Sequence, residues 1–153
     1  MQCAVIEFAR NVLGYEDAHS AEINPRSAHK VVDIMENQKN ITGMGHTMRL
    51  GAYPCELKAG SLAEKIYGSN MISERHRHRY EFNNDFLAEY EQNGMIASGV
   101  NPDTKLVEIV EIPSHRFFIA GQFHPELKST VVNPHKLFVA FVAAASAYDD
   151  ETK

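Results

Sequence analysis

Phe117-Phe118-Ile119-Ala120-Gly121 runs straight into Gln122-Phe123-His124-Pro125-Glu126. The apolar run reads as a strand, and it ends by presenting a histidine and a carboxylate two residues apart. In extended backbone, positions i and i+2 share a face. Pro125 fixes its own φ and pushes His124 into the extended region, so the spacing sets the pair geometrically. A carboxylate that accepts the imidazole N–H fixes the tautomer and supports the imidazolium. A general base that serves a nucleophile uses that arrangement. The same spacing also fits a strand ending in a turn with two solvated polar side chains. The stretch alone leaves both readings open.

Outward from this strand, the chain alternates strand and helix patterns. Residues 106–112 (LVEIVEI) read as an alternating strand, apolar on one face with Glu108 and Glu111 near the other. On the far side, after a loop, Asn133 is placed to cap a helix with Pro134 at its first position. Leu137, Phe138, Phe141, Val142 and Ala145 recur at helical spacing before a charged tail from Asp149. Earlier, Asn83 or Asn84 caps a helix that stops at Gly94, and residues 95–100 form a strand with a turn at Asn101-Pro102-Asp103. Ser61 and Glu64 make a capping box for a short helix ending at Gly68. Residues 47–57 read as extended, with Pro54 pointing to an edge or a bulge. Residues 36–45 read as a polar turn region, and residues 30–35 (KVVDIM) as a strand or a helix that periodicity does not separate. Met1, Ala4, Val5, Phe8 and Val12 recur at helical spacing with Gly14 as the stop. This helix starts at residue 1 with no N-cap and no entering strand, so the segment reads as cut. The sum is an α/β chain of one domain's length.

Composition narrows the function classes. A net charge of −5 speaks against a nucleic-acid surface, where a basic face is expected. No apolar run reaches the length of a membrane span, and no signal segment opens the chain. Two cysteines, Cys3 and Cys55, show no paired spacing and read as the reduced thiols of a cytoplasmic protein.

Residues 74–81 (ERHRHRYE) are the other concentrated stretch. As a strand it puts Arg75, Arg77 and Arg79 on one face and His76, His78 and Tyr80 on the other. Arginine's planar fork suits a carboxylate or another anion. A solvated edge strand whose arginines pair with Glu74, Glu81 or Asp85 fits as well. No Cys/His cluster of metal spacing accompanies His76 and His78, so no metal site is expected. Glu22, in a polar loop, reads as a plain solvated carboxylate.

A His-x-Glu pair needs a nucleophile. Cys3 lies inside the first helical turns, not on a strand-to-helix elbow flanked by glycines, and reads as a small apolar helix residue. Cys55 follows a proline in an extended segment with no activating feature. By its own residues the chain has a base and an orienting group without a nucleophile.

Met1-Gln2, Thr47-Met48-Arg49-Leu50-Gly51, ERHRHRYE and QFHPE together resemble the glutamine amidotransferase domain of the CTP synthase family, along essentially the whole chain. The resemblance implies an α/β, class I glutamine amidotransferase-like (flavodoxin-like) three-layer domain. It would occupy residues 1–148 as a partial domain without its N-terminal strands, with residues 149–153 as a charged tail. In that family a Gly-x-Cys-x-Gly elbow runs directly into Met-Gln, so the family's nucleophilic cysteine falls at the third residue before Met1. The glycine-containing oxyanion loop and the synthetase domain then also lie outside the chain, which is expected to be inactive alone. Carried over by position, the resemblance makes His124 the general base and acid of glutamine hydrolysis and Glu126 its orienting partner. It gives Met1 and Gln2 the lining of the L-glutamine pocket, Glu22 the glutamine amino group, and Arg79 the α-carboxylate. His46 stands where the family usually has a glycine. No cofactor is implied within the chain; ATP and Mg belong to the synthetase domain, which aminates UTP to CTP. The family implies a homo-oligomer, a tetramer, and neither nucleic acid nor a membrane as partner. The other reading is a stand-alone, catalytically dead glutamine-binding or regulatory module.

Overall fold

Val5, Phe8 and Ala9 are buried along one side of α1 (Gln2–Asn11), because their spacing brings them to one helical face. Gly14, at φ 80°, turns the chain out of the helix, as its lack of a Cβ allows. The structure, a computed structural model, describes residues 1–34 and 48–152. The expectations for Met35, the polar turn of residues 36–45, His46 and Thr47 lie outside the described residues.

The ambiguous segment forms a strand over Lys30–Asp33. β2 (Lys30–Asp33) pairs parallel with β1 (His19–Ser20) and antiparallel with β5 (Glu81–Phe82). Val31 and Val32 are both fully buried, one on each face, which is why alternation was not visible there. α1 lies on these strands, and its apolar face joins Val31, Val32, Phe82, Tyr90, Met95, Val107 and Val110 in one core. Tyr90 spans it, its hydroxyl donating to the Val5 carbonyl at 2.7 Å.

A second sheet runs in the order β4 (Met71–His78), β3 (Arg49–Leu57), β6 (Ile96–Val100), β7 (Val107–Glu111), β8 (Ile119–Gly121), with every neighbouring pair antiparallel. β3 (Arg49–Leu57) pairs with β4 (Met71–His78) from Arg49↔His78 to Glu56↔Met71, but with β6 (Ile96–Val100) only at Glu56 and Leu57. Pro54 therefore sits where the strand has a single partner, the edge position its missing N–H requires. Between β3 and β4, Ser61 Oγ accepts the Glu64 N–H at 3.1 Å and opens α2 (Leu62–Tyr67), which ends at Gly68 in the left-handed region. Asn83 caps a 3-10 turn that leads into α3 (Leu87–Gln92), with Gly94 beyond it.

Two expectations change. β7 (Val107–Glu111) is not one-sided: all five residues are buried, because β6 and β8 (Ile119–Gly121) flank it and both faces are covered. Glu108 and Glu111 are three residues apart, so they leave on opposite faces, and each meets dedicated partners. The last helix, α4 (Lys136–Thr152), starts after Asn133 and Pro134. His135 supplies the cap, its Nδ1 accepting the Leu137 N–H at 3.2 Å, and the charged residues from Asp149 continue the helix instead of leaving it.

Candidate functional site

β8 delivers the histidine as its sequence implies. The His124 N–H donates to the Arg75 carbonyl at 2.8 Å, so the end of β8 is held against β4. His124 is extended (φ −108°, ψ 90°) ahead of Pro125, which opens the 3-10 turn Pro125–Lys128. Its Nδ1 lies 2.6 Å from Glu126 Oε1. That hydrogen bond from the imidazole holds the Glu126 carboxyl below its ordinary value. Both side chains are exposed, at 40% and 58%.

Beside the pair lies an open depression of about 310 Å³, lined by Met1, Gln2, Cys3, His78, Gln122 and His124 among others. The Tyr80 carbonyl organises its floor, accepting the side-chain amides of Gln122 at 3.0 Å and Gln2 at 3.4 Å. Of the residues singled out in the sequence, Met1, Gln2 and His124 thus come together, with Glu126 against His124. Arg79 is half-buried next to Tyr80, and Glu22 is exposed on the turn after β1; neither lines the depression. Cys3 shares the depression, exposed in the first turn of α1. Its backbone is ordinary helix: among the described residues, the sole non-glycine with positive φ is Lys105. Cys55 is buried, and burial pushes its thiol up to about 12, far from a thiolate at neutral pH.

Glu74 and Glu81, two of the carboxylates expected to serve the arginine stripe, serve other groups. Arg75 and Arg77 point outward and are exposed, while Glu74, His76 and Glu81 are buried. Arg49 places one guanidinium between two buried carboxylates, 2.7 Å from Glu108 and 3.3 Å from Glu81. It also lies over the Tyr53 ring at 4.4 Å. His78 Nδ1 is 3.3 Å from Glu81, His78 Nε2 is 2.7 Å from His76 Nδ1, and His76 Nε2 is 3.6 Å from Glu108. The chain Glu81–His78–His76–Glu108 therefore closes on Arg49 directly behind the depression that His78 lines. Burial lowers His76 to about 3 and His78 to about 4, so both are neutral at pH 7. Burial raises Glu81 to about 8 against the pull of Arg49, since one guanidinium cannot fully compensate two buried carboxylates. His76 and His78 thus bond each other, and among the described residues no three His, Cys, Asp or Glu side chains are grouped to hold a metal ion. The alternation in residues 74–78 shows which side chains turn inward, but it does not extend to Glu81, which is buried on the separate strand β5. That Arg49 and Glu108 meet them has no signal in the sequence, because they come from separate strands.

The family model for class-I glutamine amidotransferases matches residues 1–144. The chain belongs to the class-I glutamine amidotransferase family. Among curated relatives of this amidotransferase, CTP synthase of Cytophaga hutchinsonii is 66% identical over 148 residues, covering 97% of this chain and 28% of the relative. CTP synthase of Staphylococcus epidermidis is 56% identical over 151 residues, covering 99% of this chain and 28% of that one. The amidotransferase chain thus spans 28% of the length of these two relatives. Among solved structures, the glutaminase domain of Trypanosoma brucei CTPS with bound acivicin superposes with a TM-score of 0.90 at 44% identity. That match covers 96% of this chain and 57% of the other. The α/β fold expected from the sequence is this amidotransferase fold. No described helix is long and apolar enough to cross a membrane.

Proposed function

We propose that this chain supplies the acid–base half of a glutaminase site in a CTP synthase, where glutamine hydrolysis provides ammonia for the ATP-dependent amination of UTP. The observation that carries the reading is the 2.6 Å contact between His124 Nδ1 and Glu126 Oε1 at the edge of the depression that Met1 and Gln2 line. Glu126 accepts the Nδ1 proton and leaves Nε2 for transfer. In the reaction, a cysteine thiolate attacks the side-chain amide of glutamine, and His124 gives a proton to the departing ammonia. His124 then takes a proton from the water that attacks the glutamyl thioester, and the thiolate leaves as glutamate forms. The nucleophile is assigned to the residue that the family places ahead of Met1, since Cys3 occupies plain helix and Cys55 is a buried thiol. Met1 and Gln2 line the depression, and the family's pattern gives the α-amino group to Glu22 and the α-carboxylate to Arg79, which stand outside it. ATP, Mg and UTP belong to the synthetase domain, in a cytoplasmic tetramer.

Two variants of the full-length gene product test this. His124→Asn and Glu126→Gln should lower glutamine-dependent CTP formation by about a hundredfold or more and leave ammonia-dependent CTP formation intact. Retention of the glutamine-dependent rate in His124→Asn sinks the assignment. Loss of both rates points to damage beyond this site.

A further inference from the structure

The His124–Glu126 pair stands on a weak element. The 3-10 turn Pro125–Lys128 has no buried residue, and its local bonds are Leu127 N–H to the His124 carbonyl at 3.1 Å and Ser129 N–H to the Glu126 carbonyl at 3.3 Å. A turn of this kind does not hold two exposed side chains to the tolerance that proton transfer requires.

What holds it is the facing strand. Three consecutive residues of β4 grip the turn from one side. The Arg75 carbonyl takes the His124 N–H at 2.8 Å. The Ser73 carbonyl accepts a hydrogen bond from Lys128 Nζ at 2.6 Å. Between them, Glu74 Oε2 lies 3.6 Å from the same Lys128 Nζ. Glu74 is itself immobilised: it is 2% exposed, and its Oε1 is 3.0 Å from His135 Nε2 and 3.1 Å from Tyr67 Oη. The far end of the segment is tied as well, with the His135 N–H donating to Ser129 Oγ at 3.0 Å.

We propose that Lys128, gripped by Glu74 and the Ser73 carbonyl, is a positioning residue that fixes the His124–Glu126 pair. Lys128 touches neither member of the pair. It acts by tethering the end of the turn opposite His124 to a strand whose last residue, His78, lines the depression. A buried carboxylate anchored by Tyr67 and His135 gives the ammonium a fixed point, whereas an exposed partner would let the long lysine chain wander. The inference rests on the glutaminase reading given above.

The test uses Lys128→Met and Lys128→Arg in the full-length gene product. Lys128 is 43% exposed at its side chain, so its removal does not breach a core. Lys128→Met should lower kcat for glutamine hydrolysis about tenfold, the cost of a small misplacement of a proton donor. KM for glutamine should change less than twofold, and ammonia-dependent CTP formation should not change. Lys128→Arg should restore most of kcat. Amide hydrogen exchange in the peptide spanning residues 122–129 should speed up in Lys128→Met and return to normal in Lys128→Arg. Lys65→Met, an exposed charge removal on α2, is the control and should change neither. Unchanged exchange in Lys128→Met overturns the clamp whatever the activities. Faster exchange with unchanged kcat, in a protein that His124→Asn inactivates, overturns the positioning role. If His124→Asn leaves hydrolysis intact, the glutaminase reading falls, and exchange alone decides whether the clamp exists.

Discussion

Arg49 and Glu108 meet at 2.7 Å between strands β3 and β7, with side chains only 8% and 0% exposed. An ion pair this deep contributes little net stability as a pair, but removing one partner strands the other. Arg49→Met should therefore destabilise the protein by about 3–5 kcal/mol. Adding Glu108→Leu should return part of that loss, since the orphaned charge is gone, although Glu81 still faces the gap. Urea midpoints of the two single variants and the double variant measure the coupling. Strict additivity would mean that the pair does not act as a unit.

Stability should peak near pH 6.5, for reasons of opposite sign on its two sides. His76 and His78 have folded-state values lowered to about 3 and about 4, so between these values and pH 6.5 the unfolded chain binds more protons. Their contribution is complete above pH 6.5 and is lost as the pH falls. Glu81 is raised to about 8, so between its unfolded value and pH 8 the folded chain binds the extra proton. Its contribution is lost as the pH rises through 8. Below pH 6.5 the two histidines act against Glu81 and Glu108, whose carboxyls burial raises, and above it the carboxyls act without them. Urea unfolding at pH 5, 6.5 and 8 should give the highest midpoint in the middle. Glu81→Gln should flatten the alkaline side and steepen the acid side, where Glu81 no longer opposes the two histidines.

Glu111 should behave as a helix cap supplied from a distant strand. Its carboxylate accepts the Leu62 N–H at 2.9 Å and the Ala63 N–H at 2.7 Å, at the positive end of α2. Glu111→Ala leaves two N–H groups of the first turn without that acceptor and should cost about 1–3 kcal/mol. Glu111→Gln keeps one acceptor oxygen and should cost less. Thermal melts of both variants provide the check, with the Ala variant melting lower.

The sequence by itself was enough for features that depend on near neighbours. That His124 is extended follows from the restriction Pro125 imposes, whereas its contact with Glu126 is made in a 3-10 turn and not along an extended strand. The α2 cap follows from Ser61 and Glu64, and the inward turn of His76 and His78 from strand alternation. Each involves residues within one turn or one strand, where backbone sterics leave few alternatives. The family was legible on the same basis, because its motifs are short local runs.

Only the tertiary structure decided what meets across the sheets. Residues 106–112 looked one-sided because a sequence does not say that a strand is central, and burial on both faces turned two apparent surface glutamates into core partners. Lys30–Asp33 could be read either way until neighbouring strands claimed them. Arg49, Glu81 and Glu108 come together from β3, β5 and β7, and Glu74 reaches Lys128 across β4 and the turn after β8. Local propensity carries no information on such encounters. They are set by which hydrophobic faces stack, and a buried charge then survives only where that stacking brings it a partner.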